Sequence, residues 1–328
     1  WSSDVCSSDL VKSTGFLNER TSIMILPKRL KKGDTIGVIA PSGHLREVNI
    51  DDVEKSLIDM GYNVKMYESC YSVDRGYLSG KDELRAKDLQ DAFEDKNIDA
   101  VFCIRGGYGA ARLLDLIDFD VIKNNPKIFL GLSDITALHI AFNQKCDLVT
   151  YHGPVGRRFV DMDEYTKESV FKNITTDSEI IFENPKCEEI FTLYEGKCEG
   201  EIVGGNLSLI NTSLGTEYEI DTKDKILFIE ETSEYVYNVD KMINHLHMAG
   251  KFEDCKGIIF GDFDNCRKVR DEDWSVEDII NEIAQRYKKP TIYNLQSGHC
   301  VPVGTIPLGA MCYLDATNKI VKFDYSNC

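Results

Sequence analysis

The chain has 328 residues, 42% of them apolar, and a formal net charge of −17. That length suits about two domains. The acidity argues against nucleic acid or an anionic membrane as partner, since both favour a basic face, and no run reaches the ~18 apolar residues of a membrane span. Eleven cysteines are scattered without a Cys-x-x-Cys pair. This is the pattern of reduced thiols in a cytosolic protein, not of a disulfide framework or a zinc site.

Residues 1–23 are serine-rich and aperiodic and read as a non-native or disordered leader, with Met24 opening the native chain. Asp34-Thr-Ile-Gly-Val-Ile-Ala40 reads as a strand. Ile50, Val53 and Leu57 then mark a helix that Gly61 stops. Residues 62–67 alternate as a second strand, Leu89, Ala92 and Phe93 mark a second helix, and Ile98–Ile104 forms a third strand. That strand runs into Arg105-Gly-Gly-Tyr-Gly109. A helix is expected over 110–123, then a buried strand from Pro126 to Leu130, then a helix carrying Ile135, Leu138 and Phe142. Strand and helix alternate throughout, which predicts a parallel sheet with helices on both faces and sites beyond the strands' carboxyl ends. The pattern fades over 161–195, taken as a linker region between an α/β domain at 24–160 and a second domain at 196–328. In that second domain, strands are expected at 200–206, 225–231 and 256–262, with helices near 207–214, around Val239–Leu246 and at 276–287. The tail reads as β-strands with turns at Gly309 and Thr317-Asn318.

Several strand-end residues carry chemistry. Ser133, in Gly131-Leu-Ser-Asp-Ile-Thr136, sits in a strand-to-helix turn whose N–H groups favour an oxyanion; it is either a nucleophile or a helix N-cap. Gly106 and Gly107 form either a plain turn or half of an oxyanion hole. Arg112 stands where a dinucleotide fingerprint needs its third glycine, so that fingerprint fails. Glu230 ends an apolar strand as a solvated terminus or an orienting acid, and Glu231 shares the ambiguity. His299, in a loop beside Gly298, is either exposed or a general base near neutral pKa. His139 reads as packing. His44 and His152 read as loop residues without an evident partner, and His245 and His247 point to different faces of one helix.

Together these stretches resemble the LD-carboxypeptidase family of serine peptidases. The likeness covers about residues 28–325. It rests on Lys32-Gly-Asp-Thr-Ile-Gly-Val-Ile-Ala-Pro-Ser42, Arg105-Gly-Gly-Tyr-Gly109, Gly131-Leu-Ser-Asp-Ile-Thr136, His152-Gly-Pro154, Gly204-Gly-Asn-Leu-Ser208, Phe228-Ile-Glu-Glu231, Gly261-Asp-Phe263, Gly298-His299 and Pro307-Leu-Gly309. The resemblance implies a flavodoxin-like α/β N-terminal domain and a smaller β-rich C-terminal one. It implies Ser133 as nucleophile, His299 as general base and Glu230 as its orienting carboxylate. The oxyanion hole would use the N–H of Asp134 and of Gly106 or Gly107. It further implies a cytoplasmic homodimer that needs no metal or other cofactor. The expected activity is removal of the terminal D-Ala from a murein tetrapeptide in cell-wall recycling. The family's microcin-C immunity branch is the alternative, and a non-catalytic small-molecule-binding protein on the same α/β sheet is the other rival.

Overall fold

The computed structural model describes residues 23–46 and 48–326; the leader expected over 1–23 lies, Ile23 aside, outside them. The first strands are β1 (Thr35–Ile39), β2 (Asn63–Met66), β3 (Ala100–Cys103), β4 (Ile128–Gly131) and β5 (Thr150–His152). They lie side by side in the order β5-β4-β3-β1-β2, all parallel. Residues in β1, β3 and β4 alternate between two cores. Ile36, Val38, Phe102 and Leu130 face one side, where α1 (Ile50–Asp59) supplies Val53 and Leu57. Val101 and Phe129 face the other, covered by α2 (Asp82–Glu94), α3 (Phe119–Asn124) and α4 (Thr136–Cys146). Burying side chains such as Val53 and Leu57, both fully covered, stabilises by about 1.5–3 kcal/mol each. Asn49 caps α1 through the Asp51 N–H, and Gly61, at φ +91°, follows its end. The helix expected over 110–123 is instead a 3-10 turn, Ala110–Leu116, followed by α3. The break occurs because the Asp118 carboxylate accepts the Asp120 N–H and starts a new helix there.

The short α5 (Arg157–Val160) and α6 (Glu164–Thr175) lead to a second sheet. Its strands are β6 (Ile180–Phe182), β7 (Phe191–Tyr194), β8 (Lys197–Asn206), β9 (Ile226–Thr232), β10 (Gly257–Asp264) and β11 (Thr291–Tyr293), with β13 (Met311–Asp315) and β14 (Ile320–Asp324) from the tail. The order is β6-β14-β13-β8-β9-β10-β11-β7, parallel from β8 to β11 and antiparallel outside. Val203, Leu227, Ile229, Ile258 and Phe260 face α7 (Leu207–Ser213), α8 (Val236–Met248) and α10 (Val276–Tyr287). The very short α9 (Lys251–Asp254) precedes β10. Among the described residues no helix is long and apolar enough to cross a membrane.

Two features depart from the expected division of the chain. Residues 161–195 are not merely a linker, since they hold α6 and contribute β6 and β7 to the second sheet. Strand β12 (Ile306–Leu308), expected within the second domain, crosses back and pairs antiparallel with β5, Ile306 opposite His152. The Thr166 and Ser169 hydroxyls of α6 accept the Val303 and Thr305 N–H groups and guide that crossing.

Gly204 permits the tight pairing of β8 with β9. It has φ +139°, and a Cβ there would lie 1.8 Å from the Phe228 carbonyl oxygen. Gly204→Ala is therefore expected to destabilise the protein by on the order of 3 kcal/mol or more, because backbone must move. Denaturant midpoints measure this; a loss below about 1 kcal/mol would contradict the close approach.

Candidate active site

β4 ends at Gly131, where a Cβ would meet the Ile135 side chain at 2.5 Å, so only glycine lets the chain turn this sharply. Two residues on, Ser133 takes φ +68°, a left-handed value that is costly for a residue with a Cβ and that clusters at functional sites. It opens a 3-10 turn, Ser133–Ile135, that continues into α4. The backbone of Gly106 packs directly on it: a Cβ there would lie 2.7 Å from the Ser133 Cβ. Asp134 holds the surrounding loops together. Its buried carboxylate accepts the Ser42 hydroxyl at 2.6 Å and the Ala110 N–H at 2.7 Å. Burial pushes its pKa up against these hydrogen bonds and the Arg85 charge.

From the second sheet, Glu230 in β9, two residues before its end, is fully buried, and its Oε2 lies 2.8 Å from His299 Nδ1. Gly298 makes the approach possible: at φ +135°, a Cβ would come 2.9 Å from that same oxygen. Burial would raise the Glu230 pKa, yet the charge and hydrogen bond of His299, with His152 nearby, hold it down to about 2. For His299, burial disfavours the cation, but the Glu230 charge and hydrogen bond outweigh it and raise the pKa above its ordinary 6.5. With Nδ1 turned to the carboxylate, the bond assigns the proton there and leaves Nε2 as the basic nitrogen. Arg158 donates to the carbonyls of His299 and Cys300 at 3.1 and 3.3 Å and fixes the loop.

Ser133, His299, Gly106 and Gly107 line one cavity of about 360 Å³, with Arg105, Arg157, Arg158 and Asp264 among its walls. Glu230 lies buried against His299. Asp134 contributes a structural carboxylate beneath Ser133.

His152 is no plain loop residue. It ends β5, is wholly buried, and stands with Nε2 3.7 Å from Glu230 Oε1, an electrostatic contact too long for a hydrogen bond. Among the described residues, neither of its ring nitrogens nor that carboxylate oxygen has a hydrogen-bond partner. The isolated His152-Gly-Pro154 segment gave no clue to this neighbour. Arg157 and Arg158, which line the same cavity, stand out in the sequence as adjacent cations in an acidic chain. Asp262, beside the site, is pushed up to about 6 by burial and by the Asp264 and Glu230 charges.

The remaining candidates have structural partners. His139 Nε2 and Nδ1 reach the Gly131 carbonyl and the Thr150 hydroxyl. His245 bonds Asn211, and His247 bonds Tyr287. Glu231 accepts from Asn206 and from the Ser208 N–H and hydroxyl, closing the first turn of α7.

Comparison with known proteins bears on both halves. A family profile described as the LD-carboxypeptidase N-terminal domain matches residues 36–153, and its C-terminal counterpart matches 199–314. A probable murein peptide carboxypeptidase of Bacillus subtilis is 39% identical over 302 residues, covering 91% of this chain and 94% of its own. Among solved structures, an MccF-like protein from Bacillus anthracis has TM-score 0.81 at 31% identity, covering 92% of this chain and 99% of that one. A muramoyltetrapeptide carboxypeptidase from Oxalobacter formigenes has TM-score 0.77 at 24% identity, covering 88% and 97%, a likeness of fold.

Proposed function

The chain belongs to the LD-carboxypeptidase family, and on that premise we propose that it is a serine carboxypeptidase that removes the terminal D-Ala of a murein tetrapeptide. The observation that carries the reading is the buried Glu230–His299 hydrogen bond beside a cavity that Ser133 also lines. An unassisted hydroxyl is a poor nucleophile at neutral pH. In this mechanism His299 Nε2 takes the Ser133 proton as Oγ attacks the scissile carbonyl. The tetrahedral oxyanion lies between the Asp134 N–H, at the turn into α4, and the Gly106-Gly107 turn. His299 then gives its proton to the leaving D-Ala nitrogen, and the acyl-serine forms. Water, deprotonated by the same nitrogen, attacks the ester, and Ser133 recovers its proton. Glu230 holds the imidazole and stabilises its cation throughout. The proposal extends to a cytoplasmic homodimer acting in cell-wall recycling, as the family resemblance implies.

One observation favours a second reading. The likeness to an MccF-like protein suits a microcin-C-type amidase acting on an aminoacyl-nucleotide mimic. A substrate panel separates the two. Purified protein is expected to release D-Ala from tetrapeptides carrying lysine or diaminopimelate and to leave the nucleotide conjugate nearly intact. Cleavage of the conjugate alone would transfer the assignment to the second reading. No cleavage of either would remove both.

A further inference from the structure

A carboxypeptidase must recognise a free carboxylate a few bonds beyond the carbonyl it attacks. That anion needs a cation near the nucleophile, and the cavity that Ser133 lines holds three arginines in a chain of net charge −17. Two of them are committed. Arg105 lies across the glycines beside it: a Cβ on Gly43 or Gly107 would come 2.6 or 2.9 Å from its Nη1. Arg158 spends its guanidinium on the His299 and Cys300 carbonyls. The third, Arg157, is exposed and has no hydrogen bond or ion pair to any described residue.

We propose that Arg157 anchors the terminal carboxylate of the peptide substrate, an assignment that rests on the carboxypeptidase reading above. Its position is built into the fold. Gly156, just before it, touches the end of the first sheet so closely that a Cβ would lie 1.9 Å from the Ile104 carbonyl oxygen. No other residue fits there, so the turn that presents Arg157 stays against the wall of the cavity. The neighbouring Arg158 carries the same charge; burial, and then the Arg157 charge beside it, lower the Arg158 pKa, and an anion between or beside the two guanidinium groups relieves that repulsion. Among the described residues, Asp264 is the one carboxylate in that wall. Its Oδ2 already accepts the Thr232 hydroxyl at 3.0 Å, and the remaining lining is cationic or neutral. A guanidinium offers a planar pair of donors that matches a carboxylate.

The test compares a tetrapeptide ending in free D-Ala with its C-terminal carboxamide, using wild-type protein, Arg157→Gln and Arg157→Lys. Wild type is expected to prefer the acid. In Arg157→Gln the KM for the acid should rise roughly 10–100-fold, more than kcat falls, and the acid-over-amide ratio of kcat/KM should drop toward one. Arg157→Lys, which keeps the charge without the fork, should restore part of that ratio. An Arg157→Gln variant that keeps the full wild-type preference overturns the anchor while leaving the carboxypeptidase intact. A wild-type protein that cleaves neither peptide, releasing neither D-Ala nor D-alaninamide, overturns both together.

Discussion

Ser133→Ala is expected to lower kcat for D-Ala release by on the order of 10⁴-fold or more, and His299→Ala by a comparable factor, because in the proposed mechanism nucleophile and base act as one unit. The turn at Ser133 suits this role on geometry alone. Its φ of +68° is retained although glycine would relieve it, and its backbone is pinned by Gly131 on one side and Gly106 on the other. Removing one hydroxyl from a half-buried position leaves that turn standing, so loss of activity should come without loss of melting temperature. Wild-type protein should also react with a serine-directed fluorophosphonate, and the Ser133→Ala variant should not. Near-wild-type turnover in Ser133→Ala would end the serine-peptidase proposal, whatever the other residues do.

Glu230→Gln is expected to cost somewhat less, on the order of 10³-fold in kcat/KM, since the base survives but loses its orientation and its counter-charge. The pH profile carries the sharper signature. A general base works only when neutral, and Glu230 raises the His299 pKa above 6.5. The acid limb of kcat/KM in the wild type should therefore lie above pH 6.5 and rise with pH through that value. In Glu230→Gln the charge that raises the pKa is gone, while burial, which lowers it, remains. The limb should then move to lower pH. The pair also stabilises the fold in a definite window. The part owed to the raised His299 pKa is complete below 6.5 and fades as pH rises through the raised value. The part owed to Glu230 is complete above its ordinary 4.5 and fades as pH falls toward about 2. A limb at the same pH in both proteins would show that Glu230 does not act on the base.

How much of this was legible in the sequence depends on how far apart the cooperating residues lie. Local patterns were readable. Val53 and Leu57, Leu89 and Phe93, and Leu138 and Phe142 sit at helical spacing and all are buried on helices. Ile36, Val38, Val101 and Phe129 read as strand and prove to be strand. Gly131 and Gly298 were visible as turn residues, though not that a Cβ at Gly298 would strike Glu230. What escaped was non-local. The strands β6, of three residues, and β12, also of three, are too short for periodicity to speak, and their partners β14 and β5 lie far along the chain. His152 had no evident partner because Glu230 meets it only once both sheets are assembled. The arginine pair at 157 and 158 stood in plain view. Its proximity to Ser133 comes from Gly156 folding back on Ile104, which no spacing rule reveals.

The path of β12 has a consequence for the order in which the protein is made. The strand lies against β5 with Ile306 opposite His152, and His152 in turn lies opposite Gly131, just before Ser133. A nascent chain that has emerged only through β5 therefore carries the serine on a sheet whose last edge is bare. Domains usually fold as they leave the ribosome, N-terminal part first. Here that early sheet waits, with an open row of backbone donors and acceptors, until synthesis passes Leu308. The segment that supplies its last strand has by then brought His299 with it. Completion of the first sheet and delivery of the proposed base thus arrive in the same late stretch of chain, so a product terminated before His299 is expected to lack both the last strand of that sheet and the base.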